Sequence, residues 1–132
     1  EPRRLRQDAE APRLSAWEGY ANGVYYRMRV VETPVFTAAV TSLLSDEEYR
    51  QLQLALLIRP EQGALIRGSG GLRKIRWGAR GRGKRGGVRV IYYWHPAEQV
   101  AYMLLIYAKS EQDDLTPTQL RILRRLVQEE IG

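Results

Sequence analysis

The sequence predicts an α+β domain, an antiparallel sheet in β-α-α-β-β-β-α order with a helical hairpin and a C-terminal helix packed on one face. Three observations carry this. Two helical stretches between residues 33 and 60 each open on their own N-cap signal. After Pro60 the period changes, and short apolar runs alternate with Gly- and Pro-containing turns. A third capping signal then opens a final amphipathic segment.

Residues 1 to about 15 are polar and Arg-rich and read as a tail or extended arm. In "AWEGYANGVYYR" (16–27), Asn22-Gly23 is a type I′ turn signal flanked by aromatics, which suggests a short extra hairpin. Residues 1–27 therefore read as an N-terminal extension and residues 28–132 as the domain proper. "MRVVE" (28–32) is its first strand. Thr33-Pro34 pairs an N-cap with proline at the first helical position, opening a helix over Val35 to Leu44. Ser45-Asp46-Glu47-Glu48 is a capping box for a second helix that ends near Pro60. "ALIR" (64–67), "LRKIRW" (72–77), "VRVIYYW" (88–94) and "VAYMLLIYA" (100–108) are strand candidates, the last three forming a meander. The run at 100–108 is almost wholly apolar, as expected of a central strand buried on both faces. Thr116-Pro117-Thr118-Gln119 caps the last helix, with Leu120, Leu123, Leu126, Val127 and Ile131 on one side.

The chain has no cysteine, which excludes disulfides, thiolate catalysis and Cys-based zinc sites, and fits a reducing, cytoplasmic setting. One histidine leaves little for a transition-metal site, so no metal and no cofactor is expected. No apolar run is long enough to span a bilayer, and no membrane partner is expected. The net charge is +6, and its distribution matters more than its size. From Gln62 through Ala97 there is no acid, while Arg67, Arg73, Lys74, Arg76, Arg80, Arg82, Lys84, Arg85 and Arg89 crowd one stretch. A concentrated patch of this kind can follow a phosphate backbone.

"GARGRGKR" (78–85) nearly spells a phosphate-binding P-loop. It carries Arg85 where a Ser or Thr should hold Mg²⁺, and it leads from strand to strand rather than into a helix. It reads instead as a cationic hairpin finger whose glycines allow close approach to a ligand. Alternation places Leu72, Lys74 and Arg76 on one face of their strand, and Arg89, Ile91 and Tyr93 on one face of the next. The charge thus continues from the loop onto rigid sheet positions. Arginine clamps phosphate through paired N–H bonds, whereas lysine can also move a proton. The chain has only three lysines, Lys74, Lys84 and Lys109. A site where their strands meet would combine proton transfer with charge stabilisation. The helices carry mixed charge and offer no recognition helix, so direct DNA binding is not expected. His95 falls in a tight turn and Asp113 and Asp114 precede the last helix, where they read as surface residues.

"GSGGLRKIR", "GKRGGVRVIYY" and "IYAKSEQDDL" closely resemble the RelE/HigB family of bacterial toxins, in the branch with a long Gly/Lys hairpin loop. The resemblance covers roughly Val30 to Glu130, and Met28 stands where a member would begin. It implies a RelE-like fold and a ribosome-dependent mRNA interferase of a type II toxin–antitoxin system. Such a protein cuts mRNA in the ribosomal A site without metal, leaving a 2′,3′-cyclic phosphate and a 5′-hydroxyl. Its partners would be a cognate antitoxin, ribosomal RNA and mRNA. The family's catalytic basic positions fall on Lys74, Arg76, Arg89 and Lys109. Arg73, Arg80, Arg82, Lys84 and Arg85 would grip RNA. Two positions depart from the pattern: Ser110 stands where a second arginine follows the lysine, and Thr116 or its neighbours stand where the family has a tyrosine.

Overall fold

The computed structural model describes residues 12–78 and 87–131. Its order is β1 (Arg13–Ala21), β2 (Val24–Glu32), α1 (Pro34–Leu43), α2 (Asp46–Ile58), β3 (Ala64–Leu65), β4 (Arg73–Trp77), β5 (Val88–His95), β6 (Val100–Ala108) and α3 (Pro117–Leu126). A π-helical turn, Val127–Ile131, extends α3. Local chemistry sets the boundaries. Thr33 caps α1 by accepting the Phe36 N–H. Ser45 with Glu48, and Thr116 with Gln119, form two reciprocal capping boxes.

Asn22 and Gly23 both have positive φ, 52° and 76°, the backbone a type I′ turn requires. The hairpin they close is longer than expected, pairing Arg13 with Glu32 at its open end. Side chains anchor it to the body. Trp17 Nε1 donates to Gln53 Oε1 at 2.9 Å, and the Arg50 guanidinium lies 5.1 Å over the Trp17 ring. Glu32 is buried and accepts from Arg13 Nη2 (2.8 Å), Thr37 Oγ1 (2.7 Å) and the Tyr49 hydroxyl. Burial, reinforced by Glu32, pushes the Tyr49 hydroxyl far above its usual range, so it remains a donor. One carboxylate thus ties β1, β2, α1 and α2 together.

The sheet runs β1-β2-β6-β5-β4-β3. The expectation of a wholly antiparallel sheet needs one correction, because β2 and β6 pair in parallel. Their connection is a long crossover through both helices and the intervening strands, the kind of connection a parallel pair requires. A second correction concerns the helices. Phe36, Val40, Leu44, Leu52 and Leu56, from α1, α2 and the junction between them, pack against Met28, Val30, Ile75, Val90, Tyr92 and Met103. Leu123 and Val127 instead pack with Leu72, Ile91, Leu104 and Tyr107. The helical hairpin and α3 therefore cover opposite faces. Strands as apolar as β5 and β6 need a cover on each side.

Tyr92, fully buried, joins the sheet to the end of α2. Its hydroxyl donates to the Pro60 carbonyl at 2.8 Å and accepts the Gly63 N–H at 2.9 Å. A Cβ on Gly63 would lie 2.7 Å from the Tyr92 ring, so this close approach needs glycine. Tyr92→Phe leaves a buried N–H and a carbonyl unpaired. The expected cost is about 1–3 kcal/mol, read as a lower urea midpoint at unchanged slope.

Candidate nucleic-acid interface

Strand alternation and register build the cationic surface. On β4, Ile75 points into the core shared with α1 and α2, so Lys74 and Arg76 point to the face that carries α3. Arg76 is the direct cross-strand partner of Arg89, and Arg89 of Tyr107. Arg76, Arg89 and Tyr107 therefore form a row across β4, β5 and β6, with Lys74 opposite Ile91 in a second row. Two arginines directly opposite one another repel. Arg76 is exposed, whereas Arg89 is 4% exposed, with Nη1 donating to the Val88 carbonyl at 3.2 Å.

Lys109 follows the end of β6, where its N–H donates to the Gly87 carbonyl at 3.0 Å. Two consecutive acids, Asp113 and Asp114, link it to Lys74. Asp113 Oδ1 lies 3.1 Å from Lys109 Nζ, and Asp114 Oδ1 lies 2.6 Å from Lys74 Nζ. The hydrogen bond from Lys74, then its charge, lowers the Asp114 carboxyl below the usual range. Desolvation opposes this, and the charges of Arg76 and Arg89 add smaller contributions to the lowering. Asp114 therefore senses three cations from two strands. Burial raises the Tyr107 hydroxyl above its ordinary value, Asp114 adds to the rise, and Arg89 opposes it. That hydroxyl donates to the Asp113 carbonyl at 3.4 Å.

Asp114 carries a pH prediction. The carboxylate stays charged as pH falls below the ordinary carboxylate range and loses the ion pair only below that. Lys74→Met removes the leading cause, so the Asp114 titration should move upward. Carboxyl-carbon NMR reads the shift.

Of the residues singled out in the sequence, Lys74, Arg76 and Arg89 share one face, and Lys109 joins them through the acid pair. Arg73 does not. It points to the other face, where Nη1 donates to the carbonyls of Glu61 (2.8 Å) and Gly63 (2.7 Å). Arg80, Arg82, Lys84 and Arg85 lie outside the described residues. The described elements flanking those residues are β4 and β5, which pair antiparallel, so the next element is a strand and not the helix a P-loop needs. His95 stands at the far end of β5 from Arg89, and its Nδ1 accepts the Glu98 N–H at 3.3 Å. A depression of about 530 Å³ lined by Arg59, Pro60, Glu61, Gln62 and Trp94 includes none of the cationic row. Among the described residues, no three His, Asp or Glu side chains group as a metal site.

Sequence reasoning missed the part played by Asp113, Asp114 and Tyr107. The i,i+4 spacing of Lys109 and Asp113 was a local hint. The Lys74–Asp114 pair spans 40 positions and needed the sheet register to be seen.

The RelE family model, described as the RelE toxin of the RelE/RelB toxin–antitoxin system, matches residues 28–131. The chain belongs to the RelE toxin family. The matched span holds Lys74, Arg76, Arg89, Lys109 and both aspartates, while β1 lies before it. Membership implies a protein antitoxin as partner. Among the described residues, no helix is long and apolar enough to cross a membrane.

Proposed function

We propose that the protein is a ribosome-dependent endoribonuclease that cleaves mRNA in the A site, in the cytoplasm, through attack of a ribose 2′-hydroxyl on the adjacent phosphate. The observation that carries this reading is the direct opposition of Arg76 and Arg89, with Lys74 on the same face. A fold tolerates such like-charge crowding at a cost, and an anion seated among the cations relieves it.

In this reaction the 2′-oxygen loses its proton and bonds to phosphorus. The phosphorus–5′-oxygen bond breaks, and the leaving oxygen takes up a proton. The products are a 2′,3′-cyclic phosphate and a 5′-hydroxyl. Arg76 and Arg89 stabilise the charge of the phosphorane, for which a planar, permanently charged guanidinium is suited. Lys74 or Lys109 handles the proton. No metal or cofactor takes part. Arg80, Arg82, Lys84 and Arg85 hold ribosomal RNA, and the antitoxin masks the cationic face with an acidic or helical segment.

Incubating the purified protein with ribosomes programmed with a defined mRNA tests this. Cleavage should leave a 5′-hydroxyl, and 2′-deoxy substitution at the cut nucleotide should abolish it. Cleavage that survives the substitution removes the proposed chemistry. A second reading, a ribosome-binding module that arrests translation without cutting, is favoured by Ser110, an exposed hydroxyl beside Lys109 where the resemblance calls for a second cation.

A further inference from the structure

Asp113 and Asp114 sit among the cations of the proposed site, and the shape of their segment does not depend on their carboxylates. Gln112 Nε2 donates to the Asp114 carbonyl and to Gln119 Oε1, each at 2.9 Å. The Tyr107 hydroxyl holds the Asp113 carbonyl, and the Thr116–Gln119 capping box fixes the start of α3. The two carboxylate side chains are 72% and 78% exposed, so each can swing into solvent without uncovering core. Their exposed contacts reach lysines from separate segments, Lys109 just after β6 and Lys74 on β4.

We propose that Asp113 and Asp114 act as a resident substrate mimic, two consecutive carboxylates on the lysines that two successive phosphates of an RNA chain take over. The pair then sets specificity for a polynucleotide over a single phosphate. The inference rests on the reading of this face as an RNA site. The physical reason is competition. Each tethered carboxylate meets its lysine at an effective concentration on the order of millimolar, so a free monophosphate below that level displaces neither. Once one phosphate of a chain binds, the next is tethered too and competes with the second carboxylate on equal terms. The same chain then lies against Arg76 and Arg89, which a carboxylate on Lys74 reaches only at longer range.

The test is equilibrium binding of two probes to the full chain and to an Asp113→Asn/Asp114→Asn variant. The probes are adenosine 5′-monophosphate and a short single-stranded RNA with 2′-O-methyl riboses, which cannot be cut by 2′-hydroxyl attack. The variant should bind the mononucleotide roughly threefold to fivefold tighter, the scale of one exposed ion pair. Its preference for RNA over mononucleotide should fall, and Asp114→Glu should keep that preference. Unchanged or weaker mononucleotide binding by a folded variant overturns the proposal, as does failure of either protein to bind the RNA. Because the RNA cannot be cut, loss of selectivity supports the mimic even if the protein proves not to cleave mRNA.

Discussion

Arg89→Ala is expected to abolish growth inhibition when the chain is expressed, with mRNA cleavage reduced by about 10²- to 10³-fold, the cost of removing one preorganised donor from a charged transition state. Arg89 sits between Arg76 and Tyr107 in the cross-strand row, and no other described arginine occupies β5. Because it is 4% exposed, its truncation also removes packing, so Arg89→Met serves as companion: it keeps aliphatic bulk and loses the charge. Both variants should fold and both should be non-toxic. Arg73→Ala is the contrast. Its guanidinium bonds two carbonyls on the opposite face, so it should lose about 1 kcal/mol of stability and keep toxicity. Normal toxicity of a folded Arg89→Ala protein would falsify the catalytic assignment.

The second large effect concerns the hairpin that precedes most of the family match. Starting the chain at Met28 removes β1 and the first part of β2. It strips Trp17 from Gln53 and Arg50, and Arg13 from buried Glu32. It also exposes part of the core around Met28 and Val30, each 1% exposed. Partial uncovering of two such side chains, with the loss of one partner of a buried carboxylate, gives an expected cost of about 3 kcal/mol. The thermal midpoint should fall by on the order of 10 °C. Calorimetry of the shortened chain against the full chain checks this, and equal midpoints would mean that the hairpin adds nothing to the fold.

These two predictions draw on features that differ in how far the sequence reveals them. Ser45 with Glu48, Thr116 with Gln119, and Asn22-Gly23 are legible because their chemistry closes within four residues. The alternation that separates Lys74 and Arg76 from Ile75 is legible for the same reason, since the period of two acts along one strand. The parallel pairing of β2 with β6 is not legible, because it joins residues about 70 positions apart and has no turn to announce it. The placement of α3 opposite the helical hairpin is only half legible. The apolar run at 100–108 calls for cover on both faces but does not say which helix supplies each. Within the site, single residues were visible and their opposition was not. That Arg76 faces Arg89, that Asp114 reaches Lys74, and that Arg73 turns away are consequences of register and of the return of the chain after β6.

The proposed function requires that a rigid sheet face holding Lys74, Arg76 and Arg89 cut translated RNA. The most direct measurement maps new 5′ ends across cellular mRNA after brief expression of the wild-type chain and of Arg89→Ala. The expected result is 5′-hydroxyl ends in phase with codons, confined to translated messages and missing from the Arg89→Ala sample. Arrested translation with no new ends, or identical ends from both proteins, would contradict it.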